Sequence, residues 1–160
     1  MGNNPSKAAD NIFCRCRKEA AKKNPKLNSR EGAAELLGLS VSSLADYELG
    51  NTKVVPVDKV ALMAELYDAP ELCNYYCKQV CPIGEYVPTA DVNNIERITL
   101  RALLAFQNVE QLQADLLEIS ADGKVDEDEK EQLKGIIKQL NEVADVAQSL
   151  KLWAQKYLNE

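Results

Sequence analysis

Five cysteines and no histidine bound the chemistry open to this chain of 160 residues. Cys73, Cys77 and Cys81 recur every four residues. On a helix that spacing offsets successive thiols by about 40°, so Cys73 and Cys77 share a face. A thiolate zinc or iron–sulfur site needs a fourth ligand, for which Cys14 or Cys16 is the candidate. The short paired gaps of a zinc or ferredoxin ligand run are missing, however. Cysteine filling small apolar gaps in a reduced protein explains the same residues more simply, and reversible oxidation is a further use of them. Neither metal nor cofactor is expected. Without histidine there is no Ser-His-Asp or Cys-His mechanism, and no nucleophile–base pair or phosphate-cradling loop is visible, so an enzyme is not expected. The acidic run from Asp122 to Glu129 lacks the ligand order of a calcium loop. Acids at a helix start complement the positive end of its dipole.

A second chemistry is electrostatic. The formal net charge is −6, yet residues 1–53 carry nine Lys or Arg against six acids. Lys7, Arg15, Arg17, Lys18, Lys22, Lys23, Lys26 and Arg30 are opposed only by Asp10 and Glu19 up to Arg30. A basic segment on an acidic remainder points to one local anionic partner, or to a solvated helix face. The polar residues Met1 to Ser6 hold no apolar signal core, and no apolar run approaches the ~20 residues of a membrane span. An odd cysteine count without an export signal fits a reduced, cytoplasmic protein.

The elements that position these residues read as helices throughout. No segment alternates with period two for long, and Gly and Pro are sparse. A first helix is expected from Ala8 to Lys23, ending before Asn24-Pro25. A second is capped by Ser29 and stopped at Gly38, and a third is capped by Ser40 and stopped at Gly50. A fourth follows Pro56 and carries Val60, Met63, Ala64 and Tyr67, and a fifth runs from Pro70 to near Cys81-Pro82. The residues from Gly84 to Ala90 read as a linker. These limits define a first domain over 8–83.

The run from Ser29 to Ser40, followed by Val41-Ser42-Ser43-Leu44-Ala45-Asp46-Tyr47-Glu48-Leu49-Gly50, resembles a phage-repressor-type helix-turn-helix. The family is the xenobiotic-response-element type, with its Cro and lambda-like repressors. That resemblance implies a five-helix lambda-repressor-like DNA-binding domain and a transcriptional regulator. It also implies a wedge of Leu37, Leu39, Leu44 and Tyr47 beside small Ala34, and a pairing of Glu48 with Arg15 or Arg17. Arg30 and the amides near Ser29 would then hold phosphates of double-stranded DNA, with Lys53 a further DNA-binding residue. Val41, Ser42, Ser43 and Asp46 would face base edges. None of these four offers a bidentate contact to guanine or adenine, so discrimination among sequences is expected to be weak. Gly32 is expected to weaken its helix by about 1 kcal/mol relative to Ala. The rival readings are a protein-interaction adaptor built on the same scaffold and a thiol-based metal or redox sensor at Cys73, Cys77 and Cys81.

Residues 91–160 read as a long antiparallel helical hairpin. Ile95, Ile98, Ala102, Ala105, Val109, Leu112, Leu116 and Ile119 form one seam. Leu133, Ile136, Leu140, Val143, Ala147, Leu150, Ala154 and Tyr157 form the other. Both repeat at the coiled-coil period, over roughly 36 Å of helix. Leu100, Leu103, Leu104 and Phe106 lie off the first seam, and Leu152, Trp153 and Leu158 off the second. They are expected to gather in an apolar patch at the open end, for a homodimer contact or for docking onto the first domain.

Overall fold

The structure is a computed structural model that describes residues 10–92, 94–107 and 109–158. It is 73% helix and has no strand among the described residues, so the all-α class is observed. No helix among them is long and apolar enough to cross a membrane. The chain divides into two compact units between Val87 and Pro88.

In the first unit, α1 spans Ile12–Ala20, where Asn11 caps it by accepting the Phe13 amide at 2.9 Å. The helix is shorter than expected. Lys22 and Lys23 lie in a turn, and Ala8 and Ala9 lie outside the described residues. Asn24 caps a short 3-10 helix, Pro25–Asn28, which leads into α2, Arg30–Leu37. Ser29 Oγ accepts the Gly32 amide at 3.0 Å to start α2, and Gly38 ends it at φ 63°, a left-handed conformation that glycine enters without a steric penalty. Ser40 Oγ accepts the Ser43 amide at 3.1 Å to start α3, Val41–Leu49, which ends at Gly50. Helix α4 spans Val57–Leu66, and α5, Glu71–Tyr75, widens into a π-helical turn over Tyr76–Val80.

These helices close on one core that includes Phe13, Leu27, Ala33, Leu44, Met63 and Leu72. Ala34 is buried, and α2 and α3 pack together beside it. Leu37 and Leu44 are buried, with Leu39 and Tyr47 packed partly buried against them.

Two glycines behave otherwise than their local propensity suggests. A Cβ at Gly32 would collide with the Lys26 carbonyl oxygen, so the backbone of the preceding turn passes against the start of α2 where only glycine fits. Gly84 is buried, and a Cβ there would strike the carbonyls of Cys77 and Lys78 in the π turn. The expected linker from Gly84 to Ala90 is therefore structured. Gly84–Tyr86 is a 3-10 turn of the first unit, and the chain from Pro88 belongs to the second.

In the second unit, α6 spans Ile95–Phe106, α7 spans Val109–Ile119 and α8 spans Glu127–Tyr157. The expected single first arm is thus two helices with a turn at Gln107, and both pack on α8. Asp126 and Glu129 form a reciprocal capping box, each side chain accepting the other's amide at 2.9 Å, which explains the acids opening α8. Ile98, Ala102, Leu112 and Ile119 are buried as spaced, and Ile136 meets Leu112 and Ile119.

Further along α8 the observed stripe departs from the expected seam. Val146, Ser149 and Leu152 are buried, whereas Leu140, Ala147 and Tyr157 are exposed. The cause is a third partner that helix periodicity does not reveal. The extended segment before α6 lies along α8, with the Thr89 amide donating to Asp145 Oδ1 at 2.7 Å and the Asp91 amide to Ser149 Oγ at 3.0 Å. Leu152 accordingly leaves the expected open patch for the interior. Trp153 is partly buried with its ring 5.0 Å from Tyr157, and Leu158 stays exposed.

Substituting Gly32→Ala tests the close approach. Helix propensity alone favours alanine by about 1 kcal/mol. The Lys26 carbonyl reverses the sign, and a loss of about 1–3 kcal/mol is expected in urea unfolding, as for other overpacked sites.

Candidate nucleic-acid interface

The geometry of α2 and α3 is set from beneath by a buried charge. Glu48, on the inner face of α3, is fully buried. Arg17 of α1 reaches it with Nε at 2.5 Å from Oε1 and Nη2 at 3.0 Å from Oε2. The same guanidinium turns Nη1 to the carbonyls of Leu27 at 2.7 Å and Asn28 at 3.1 Å. One side chain therefore fixes α1, the turn before α2, and α3 together. Such two-edged use suits the planar fork of arginine and not lysine.

Arg30, the first residue of α2, donates from Nε to Glu48 Oε2 at 2.8 Å. Its side chain is 28% exposed. Of the two arginines expected to pair with Glu48, Arg17 does so, while Arg15 is exposed. Arg30 is thus held at the surface by an anchor below it, with its Nε edge turned inward. Burial pushes the Glu48 carboxyl up, but hydrogen bonds from Arg17 and then Arg30 outweigh it, and the net position is below the usual carboxylate range. The bond to Glu48 raises Arg17, against the opposing effect of burial.

On the outer side, Ser29, Val41, Ser42 and Lys53 are exposed, with Ser43 and Asp46 half-buried. The hydroxyls are mutually engaged: Ser40 Oγ lies 3.0 Å from Ser42 Oγ and 2.8 Å from Ser43 Oγ. Asp46 Oδ1 accepts from Asn51 Nδ2 at 2.9 Å. Residue type and spacing do not single out Asn51. It follows the left-handed Gly50, whose turn folds the chain back so that its amide also bonds the Asp46 carbonyl at 2.9 Å. Several polar groups of this face are therefore bonded to one another within the protein.

The thiols differ in exposure. Cys14 and Cys16 are buried on α1, Cys73 and Cys77 are exposed and Cys81 is half-buried. No group of three metal-ligating side chains occurs among the described residues. Cys77 lies in the widened turn over Tyr76–Val80, and Cys81 follows it in extended backbone, so the trio does not share one regular helix. Burial, and then the neighbouring Cys77, raise the Cys73 thiol. Burial, and then Glu48, raise Cys14. Neither has the lowered pKa of an activated thiolate.

Because Glu48 sits below its unfolded range, its contribution is present above the ordinary carboxylate pKa and is lost as pH falls through the depressed value. Thermal melts should therefore fall steeply below about pH 4 in the native chain. Glu48→Gln should flatten that acid limb while costing about 3–5 kcal/mol near neutral pH, since the buried Arg17 and the partly exposed Arg30 both lose their counter-charge. A native acid limb retained in the variant would contradict this origin. No protein-family model matches the chain, and neither the curated proteins nor the solved structures contain a match to it.

Proposed function

We propose that the first unit is a lambda-repressor-like helix-turn-helix domain that binds double-stranded DNA. In this reading the whole chain is a cytoplasmic transcriptional regulator, working as a homodimer joined through the second unit, an antiparallel helical arrangement. The observation that carries the reading is the pair α2 and α3. Each is serine-capped, they are joined through a left-handed glycine, and α2 opens on an arginine held by the buried carboxylate of α3. In such a domain the N-terminal turn of the second helix enters the major groove and the first helix crosses the backbone.

Arg30, Lys53 and the capped start of α2 at Ser29 would contact phosphates. Val41, Ser42, Ser43 and Asp46 would face the bases. The serine hydroxyls are bonded to one another and Asp46 to Asn51, and none of the four side chains offers a bidentate contact to guanine or adenine. Affinity then comes mainly from backbone charge, and preference from groove shape and the exposed Val41.

A second reading has its own support. Leu36 and Val41, either side of the turn, are each 41% exposed, and the chain's net charge is negative. An apolar pair on this surface suits a protein partner as well as a thymine methyl.

The discriminating experiment is full-chain binding to a random duplex pool across salt. If Arg30 and Lys53 each neutralise one phosphate, affinity per copy should fall about tenfold for a roughly fourfold rise in salt. Lys53→Ala should weaken binding to all sequences and reduce the salt slope by about 1. Arg30→Ala should do the same, with its melting curve recorded alongside. Retention of no duplex at low salt, or a slope indifferent to Lys53, would favour the adaptor.

A further inference from the structure

The second unit leaves one helical face uncovered. Helices α6 and α7 bury Ile98, Ala102, Leu112 and Ile119 toward α8. On the opposite side Leu100, Leu103 and Leu104 are 60%, 60% and 57% exposed, and Leu117 of α7 is 64% exposed. Positions three and four apart on a helix share a face, so the three leucines of α6 form one apolar strip. Four large leucines on one side are more than scattered surface hydrophobes.

We propose that this face docks on the same face of a second copy, with the helices antiparallel about a two-fold axis near the junction of α6 and α7. The charges beside the strip select this occupant and this direction. On one flank, α6 carries Arg97 and Arg101, and α7 carries Asp115 and Glu118. When two helices meet antiparallel through a two-fold axis, residues of one flank meet the same flank of the partner, in reversed order. Leu100 then faces Leu117, Arg101 lies beside Asp115, and Arg97 lies beside Glu118. A parallel pairing about a two-fold axis would set each charged flank beside the partner's opposite flank and would form none of these pairs. A surface complementary to itself under a two-fold rotation is the signature of an isologous contact. Within the chain these charges are only lightly engaged. Arg97 Nη1 lies 4.0 Å from Asp91 Oδ2 with its side chain 72% exposed, and Asp115 accepts from Gln111 at 2.7 Å.

This inference specifies the pairing assumed in the proposed function and concerns the second unit alone. Its test uses two full-length variants, Arg101→Glu and Asp115→Lys, examined by sedimentation equilibrium with thermal melts to confirm folding. The native chain is expected to be dimeric. Each variant alone places like charges at both symmetry-related contacts, so its dimer should weaken by about tenfold or more. Mixed in equal amounts, the two should recover native association. In the mixed dimer the new acid meets the new lysine at one contact, and the native Arg101–Asp115 pair persists at the other. A native chain that stays monomeric, folded variants that dimerise as the native chain does, or a mixture that fails to associate would each overturn the proposal. Duplex retention on the same samples keeps the two ideas apart. A dimer that retains no duplex counts against DNA binding alone, and a monomer that retains it counts against the pairing alone.

Discussion

The carboxylate of Glu48, buried between Arg17 and Arg30, is the constraint on which the first unit turns. A charge removed from water is tolerated only when others compensate it, and here two guanidiniums do so from different elements. Desolvation offsets much of the attraction among the three groups, so the trio is a poor source of net stability. What it supplies is relative position. Arg17 also grips the carbonyls of Leu27 and Asn28, immediately before the Ser29 cap. The start of α2, the body of α3 and the face of α1 therefore cannot shift independently. The surface around Ser29 and Arg30 is preorganised by this buried carboxylate, which Arg30 reaches from above.

Much of this frame was legible in the sequence, for identifiable reasons. Ser29, Ser40, Gly38 and Gly50 are punctuation whose meaning depends only on near neighbours, and each sits where local chemistry places it. The capping box at Asp126 and Glu129 is equally local. What escaped was set by contacts distant along the chain. Arg30 and Glu48 are 18 residues apart, and no periodicity links them. Gly32 looked like a weak helix residue because its collision partner, the Lys26 carbonyl, belongs to the preceding turn. The interlocked serine hydroxyls and the Asp46–Asn51 bond are matters of rotamer, invisible in residue type alone.

The second unit teaches the same lesson through packing. Two helices with a 3.5-residue repeat define a seam, and α6 and α7 follow it at Ile98, Ala102, Leu112 and Ile119. The pattern fails on α8 where a non-helical partner intervenes. Ser149 is buried because its hydroxyl accepts the Asp91 amide while donating to the Asp145 carbonyl at 2.7 Å. A polar residue in that stripe satisfies a backbone group that an apolar one would strand. Among the thiols, Cys14 and Cys16 are buried on α1, whereas Cys73 and Cys77 are exposed, so gap-filling accounts only for the first two.

If the Glu48 anchor serves to present Arg30 to a phosphate backbone, the arginine itself should report contact. The decisive observation is the Arg30 Nε–H resonance, with the backbone amides of Ser29 and Ser40, followed by heteronuclear NMR while a short duplex is titrated into the full chain. Perturbation should begin at Arg30 and the two serine-capped helix starts, with the buried Arg17 Nε–H little moved. Shifts confined to Leu36 and Val41 on adding a protein partner, with Arg30 silent toward duplex, would contradict it.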